Sequence, residues 1–232
     1  MKKIYFFILC SICTLSFSAA QDAIVTAGTF FQSLSEYYGT ISDFEANMEI
    51  TAGTSVMQGK VSFKKPNLLR IDFSNPESQV ILFNGTQLTI YLPGSAAVLT
   101  QTVSDDAGTS SGANLATPQG LTLMSRYYSI AYLSDEGPVP LDDPEIEKNP
   151  SSEMVIKLKL TKKKTTEGFE TIILSINPEK KLIRRVEAVT IANEKFKFTF
   201  TEYALNQKIP DTRFMYDSPG TANNYNNFLF SE

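Results

Sequence analysis

From residue 44 onward the chain alternates apolar and polar residues again and again, and this two-residue period constrains it more than any other feature. Phe44, Ala46, Met48 and Ile50 alternate with Glu45, Asn47 and Glu49. Val61 and Phe63 alternate with Lys60, Ser62 and Lys64, and Leu69, Ile71 and Phe73 with Arg70 and Asp72. After residue 150 the pattern returns: Met154, Ile156, Leu158 and Leu160 oppose Lys157 and Lys159, and Phe196, Phe198 and Phe200 oppose Lys195, Lys197 and Thr199. Successive side chains of a strand point to opposite faces, so each segment has one apolar and one wet face, the signature of an antiparallel sheet. Val80 to Phe83 and Gln87 to Tyr91 flank Asn84-Gly85, a strong hairpin signal, and Phe169 to Ile176 and Leu182 to Ile191 flank Asn177-Pro178-Glu179-Lys180.

Two segments break the period. Ala27, Phe30, Phe31, Leu34 and Tyr38 recur at three- and four-residue steps, predicting an amphipathic helix over Ala23 to Tyr38, capped by Asp22 and ended by Gly39. Leu121, Leu123, Met124, Tyr127, Tyr128 and Tyr132 predict a second helix within Gln119 to Leu133. Ser104 to Pro118 and the proline-rich Ser134 to Pro150 read as surface connections. The expected fold is mainly β with two or three helices, its strands forming a sandwich or a curved half-barrel.

The N-terminus reads as an export signal. Lys2 and Lys3 precede an apolar run from Ile4 to Phe17, and Ser18-Ala19-Ala20 offers the small residues of a cleavage site. The expected organisation is a cleaved signal peptide at 1–20, one domain at 21–216 and an Asn-rich tail at 217–232, in which Phe228, Leu229 and Phe230 could dock. Cleavage would remove both cysteines, Cys10 and Cys13, and would take the net charge from −4 to −6 with Lys2 and Lys3. A cysteine-free chain has no disulfide, thiol nucleophile or thiolate metal ligand. Since the chain also lacks histidine, the Ser-His-Asp and Cys-His arrangements are excluded and zinc is disfavoured. The carboxylate pairs Asp105-Asp106 and Asp142-Asp143 lie in loop-like segments, and no glycine-rich phosphate loop occurs. The expectation is a non-enzyme with no cofactor. Its acidity argues against nucleic acid, and Lys162-Lys163-Lys164 reads as a solvated hairpin tip.

Between Gly59 and Pro93 run GKVSFKKPNLLRIDFSNP, then ILFNG, then LTIYLP. This order, with its Lys65-Pro66 pair, Arg70, Asp72, Phe73, Pro76, Asn84-Gly85 turn, Tyr91 and Pro93, resembles the LolA family of lipoprotein carriers of diderm bacteria. Phe214 followed by Pro219-Gly220 resembles that family's closing strand and Pro-Gly step. The resemblance implies a strongly curved antiparallel sheet, an incomplete, half-open β-barrel, with helices covering its concave apolar face as a lid. It implies a periplasmic monomer that receives acylated lipoproteins from an inner-membrane ABC lipoprotein-releasing transporter and passes them to an outer-membrane acceptor.

On that resemblance the acyl-chain cleft is expected to draw on Phe30, Phe31, Leu34, Phe44, Met48, Phe63, Leu69, Ile71, Phe73, Ile81, Leu88 and Ile90, with Leu121, Leu123 and Met124 on the lid helix. Many family members carry arginine, implicated in lid closure and transfer, where this chain has Lys65; Lys65 and Arg70 are the candidate lid or transfer charges. Lysine cannot make arginine's forked pair of hydrogen bonds. Other readings are a carrier or sensor of free lipids or glycolipids on the same fold, and a structural β domain with a filled core.

Overall fold

The structure, a computed structural model, describes residues 25–102, 117–134, 137–143, 150–164 and 168–227. The expected signal peptide, the Asp22 cap, Asp105-Asp106 and the Phe228–Phe230 cluster lie outside these residues.

Helix α1 (Ala27–Thr40) comes first and buries Ala27, Phe31, Leu34 and Tyr38 along one stripe; Thr26 caps its start by accepting from the Thr29 amide. Six strands follow: β1 (Asp43–Ala52), β2 (Ser55–Lys64), β3 (Leu68–Asn75), β4 (Val80–Phe83), β5 (Gln87–Leu92) and β6 (Ala97–Thr102). After helix α2 (Pro118–Tyr127) come β7 (Tyr128–Tyr132), β8 (Val139–Pro140), β9 (Met154–Lys162), β10 (Phe169–Asn177), β11 (Leu182–Thr190), β12 (Lys195–Leu205) and β13 (Asn223–Asn226). They form one sheet in the order β13-β6-β5-β4-β3-β2-β1-β12-β11-β10-β9-β7, with β8 pairing β9. The long closure of β1 on β12 joins the two halves, and the two ends of the order, β13 and β7, do not meet. The expected fold is observed: a mainly β chain with two α-helices on one face of a curved, unclosed sheet.

Two elements depart from expectation. The second helix stops at Tyr127, where Tyr128 turns extended (φ −120°, ψ 147°) and the chain continues as β7 paired with β9. Tyr128, Ile130 and Tyr132 also fit a two-residue period, and pairing with an available strand decides between the two periods. Phe214 sits in a 3-10 turn (Asp211–Phe214), not in a closing strand. The last strand, β13, is an edge strand that joins β6 in parallel, whereas the other described strand pairs are antiparallel.

One cluster fills the space between helices and sheet. It joins Phe31, Leu34 and Tyr38 of α1 and Leu121 and Met124 of α2 to inward residues of β1–β3 and β9–β12, among them Phe44, Phe63, Ile71, Leu158, Leu174, Val186 and Phe200. A smaller cluster lies on the opposite face, where Val80 and Leu82 of β4 pack against Ile209 and Phe214. The segment after β12 therefore crosses the outer face as a strap. Asp43, almost fully buried, starts it by accepting from the amides of Gln207 (2.7 Å) and Lys208 (3.2 Å). Lys64 holds Asp211 at 2.5 Å and the Ile209 carbonyl at 2.7 Å. The Tyr216 ring stands 6.1 Å from that of Tyr91.

Candidate lipid-binding face

The inward side of the sheet is apolar because every strand keeps its period. The β3 residues Leu69, Ile71 and Phe73 face inward, while Arg70 and Asp72 between them face outward. Cross-strand register carries this face over β4 and β5: Leu69 pairs with Phe83, Ile71 with Ile81, Phe83 with Leu88, and Ile81 with Ile90.

The sequence-expected residues divide into three groups. Phe31, Leu34, Phe44, Met48, Phe63, Leu69, Ile71 and Phe73 are buried together in the main cluster, with Leu121 and Met124 above them. Phe30 and Ile81 are half-buried at its margin, and Leu88 and Ile90 are half-buried beyond it on β5. Leu123 does not face the sheet: it is 40% exposed. At about 100° per helical residue it lies about 200° around α2 from Leu121, while Met124 returns to the buried stripe. The face is thus covered by its own helices across β1–β3 and less completely at β4–β6. Its second half went unanticipated. Leu158, Leu160, Ile172, Leu174, Ile183 and Val186 are fully buried in the same cluster; Leu158 and Leu160, and Ile172 and Leu174, alternate regularly, whereas Ile183 and Val186 are spaced by three across an irregular pairing of β11.

Specific polar contacts seat α1 on this apolar bed. The Tyr38 hydroxyl, with no exposure, accepts from the Ile183 amide at 2.9 Å, and the Tyr203 hydroxyl donates to the Ile183 carbonyl at 2.8 Å. Ile183 can serve both because β11 is irregular there, its pairing with β10 shifting between Ser175 and Ile176. Lys65 donates through Nζ to the Gly39 carbonyl near the C-terminal end of α1. Lysine therefore ties the end of β2 to α1 with one donor. At the other end of the helix the Tyr132 hydroxyl donates to the Val25 carbonyl at 2.7 Å. The tyrosine anchor had no sequence signal, because it depends on an irregular pairing of β11.

Burial pushes the Tyr38 phenol up to about 12, against the lowering effect of the Ile183 amide and Tyr203. A phenol raised in the folded state stabilises fully below its ordinary value of 10.0 and loses that contribution as pH climbs toward about 12. Tyr38→Phe is expected to cost about 1–3 kcal/mol at neutral pH by orphaning the Ile183 amide. It should also flatten the alkaline loss of stability. Denaturant melts across the alkaline range check this; an unchanged alkaline slope would refute the anchor.

Arg70 has a different place from the one expected. It lies on the outer face, forks onto Asp72 (Nη2 to Oδ1, 2.8 Å) and donates through Nη1 to the carbonyls of Arg213 (3.2 Å) and Met215 (2.9 Å). Arg213 closes the group on Asp72. Although burial raises the Asp72 carboxyl, the two arginines hold it below the usual carboxylate range. Arg70 is thus a fastener of the strap, separated from the two helices by the thickness of the sheet. A groove of about 660 Å³ (lined by Asn47, Glu49, Lys60, Asp72 and Thr199) opens on this polar outer face, and one of about 440 Å³ is lined by apolar and charged residues together, among them Ile173, Val189, Phe196, Glu187 and Lys195. The described residues hold no cluster of three or more histidine, cysteine or acidic side chains fit for a metal.

Residues 49–137 match the family model described as outer membrane lipoprotein carrier protein LolA. A curated relative from Actinobacillus pleuropneumoniae serotype 7 (strain AP76), named outer-membrane lipoprotein carrier protein, is 30% identical over 101 residues, 43% of this chain and 46% of the relative. The chain thus aligns with less than half of that relative's length. Among solved structures, an uncharacterized conserved protein from Thermus thermophilus superposes with a TM-score of 0.52 at 14% identity, covering 84% of this chain and 96% of that one. MucB superposes with a TM-score of 0.51 at 10% identity, covering 83% and 63%. These structural likenesses speak for the fold, and the two sequence matches make the chain similar to LolA over part of its length.

Proposed function

We propose that this protein carries lipoproteins across the periplasm from inner to outer membrane, shielding their acyl chains between the apolar face of the sheet and helices α1 and α2. The observation that supports this most is the nature of the helix–sheet contact. Two short helices cover a continuous apolar bed through Phe31, Leu34, Leu121 and Met124, and few polar bonds hold them down. Each methylene withdrawn from water gains about 0.8 kcal/mol, so acyl chains can replace the helices on this bed without directional bonds. The half-buried Phe30, Ile81, Leu88 and Ile90 mark where a chain would enter. Lys65 would rejoin α1 to β2 after release. The inner-membrane transporter and the outer-membrane acceptor are the partners this reading requires, and export by residues 1–20 is the route to them.

The reading is tested by withdrawal of an acylated lipoprotein from inner-membrane vesicles into the soluble fraction. Ile90→Asp and Phe30→Asp, at the half-buried margin, should cut the yield of complex about tenfold or more, one charge at an apolar contact costing at least about 1.4 kcal/mol. Thr199→Asp, on the outer face, should not. Equal yields from all three would remove the apolar face from the account. Free lipid bound in place of lipoprotein would favour the lipid-carrier or sensor reading.

A further inference from the structure

We propose that the C-terminal end of α2 and the adjoining end of β9 form a docking surface for an anionic lipid bilayer. The fold brings together there what the sequence scatters. Lys162 ends β9 opposite Tyr128, the first residue of β7, and the Lys163 amide donates to the Tyr127 carbonyl at 3.0 Å, so the lysine run lies against the last turn of α2. Arg126 belongs to that turn and holds its guanidinium 5.5 Å from the centre of the Tyr127 ring. Leu123, one helical turn before Arg126, is 40% exposed.

Part of this is ordinary helix capping. Lys163 Nζ lies 3.3 Å from both the Ser125 and Arg126 carbonyls, which is what a cation does at a helix C-terminus. It leaves Arg126, Lys162 and Lys164. None of these makes an ion pair with a described acid, and the acid nearest in register, Glu170 of β10, pairs with no described cation. This is a local cationic surface on a chain whose net charge is −4. The large outer-face cations Arg70, Arg184, Arg185 and Arg213, by contrast, are all spent on carboxylates.

The composition selects a bilayer over an acidic protein. A protein interface calls for a shaped apolar core. Here a single protruding leucine and a tyrosine are ringed by long, flexible cations, which suits the headgroup boundary, where stems lie along apolar matter and charges meet phosphate. Each cation near an anionic surface contributes about 1 kcal/mol, so three of them hold the protein weakly and in a salt-dependent way. Weak attachment suits a shuttle, and α2 is one of the two helices that cover the apolar bed. That purpose rests on the carrier reading above; the surface itself does not.

The test is flotation of the cargo-free chain lacking the export segment 1–20 with phosphatidylcholine vesicles, with and without phosphatidylglycerol, at low and high salt. Binding should require phosphatidylglycerol and fade with salt. Charge reversal in Arg126→Glu/Lys162→Glu/Lys164→Glu should weaken it about a hundredfold, three cations at about 1 kcal/mol each. Leu123→Ser should weaken it about tenfold. Lys162→Gln/Lys164→Gln, a milder pair, should give an intermediate loss and guards against misfolding of the triple variant. No binding, equal binding to both vesicle types, or equal binding by wild type and variants would overturn the proposal. So would a triple variant that binds vesicles normally yet receives no cargo, which would make this surface a protein contact. Vesicle binding without any lipoprotein complex would leave this surface standing and remove the carrier reading instead.

Discussion

Gly59→Val is expected to destabilise the protein by about 3 kcal/mol or more, a large part of the roughly 5–15 kcal/mol that holds a typical domain. Gly59 lies where β2 and β3 shift register, after Gln58, and it pairs with Phe73 on one side and Met48 on the other. A Cβ at this position would run into the Asp72 carbonyl oxygen and stand 2.9 Å from the Phe73 Cα. Both obstacles are backbone, so no rotamer change relieves them. The strands would have to part where the sheet's bulge bends it over the helices. Gly94→Ala is the control. No atom lies within 4 Å of its added Cβ, and its effect should stay within about 0.5 kcal/mol. Denaturant melts of the two variants decide the point, and similar midpoints would refute the close approach.

Asp142→Ala should cost about 3 kcal/mol or more. Asp142 and Arg185 meet at 2.6 Å with side chains 14% and 12% exposed, and the Asp142 carboxylate also accepts from the Ser151 amide at 2.8 Å. Arg185 Nε and the neighbouring Ser175 hydroxyl are buried without partners among the described residues, so the site already tolerates little loss. Removing the carboxylate strands a buried guanidinium, which is worse than removing both charges. The double variant Asp142→Ala/Arg185→Met should therefore recover much of the loss. Burial raises the Asp142 carboxyl, but Ser151 and Arg185 together hold it below its ordinary 3.8. A lowered carboxyl contributes fully above that value and progressively less as acid protonates it. Wild type should lose stability on acidification below about pH 3.8 more steeply than the double variant. Parallel acid slopes would show that the pair does not couple to folding.

The strands were legible because period two leaves little choice. Phe44 to Ile50 and Leu69 to Phe73 could bury one face only as strands, and Asn84-Gly85 turned where expected, with the Asn84 side chain accepting from the Gln87 amide at 2.9 Å. The inward residues of the first half followed from the same alternation. The failures share a cause: each concerns a residue whose place depends on a distant partner. Tyr128 fits both periods until β9 pairs with it. Phe214 reads as strand until Val80 and Leu82 offer it an outer pocket. Arg70 reads as a transfer charge until the strap returns Arg213 beside Asp72, far along the chain. Leu123 needed the rotation of a helix whose start was not fixed by the sequence. Tyr38 was seen as part of the apolar stripe, but its hydroxyl's partner is a strand amide.

The Arg70, Asp72 and Arg213 group also clarifies the division of labour between the two faces. Polar fasteners concentrate on the outer side, where they tie the strap to β2 and β3, while the inner side is almost entirely apolar. A sheet stiffened from outside can let its inner cover leave without losing its curvature. The inner cover is held by hydrophobic contact and by a few bonds at Tyr38, Lys65 and Tyr132.

The most direct test of the central claim is the withdrawal assay itself. Inner-membrane vesicles bearing a labelled lipoprotein are incubated with wild type, Ile90→Asp and Thr199→Asp, and the soluble fraction is examined for a one-to-one complex. The account expects a soluble complex with wild type and Thr199→Asp and almost none with Ile90→Asp. A folded wild type that leaves every lipoprotein in the membrane, and that takes up no acyl chain from any source, would contradict it and make the apolar bed an ordinary core.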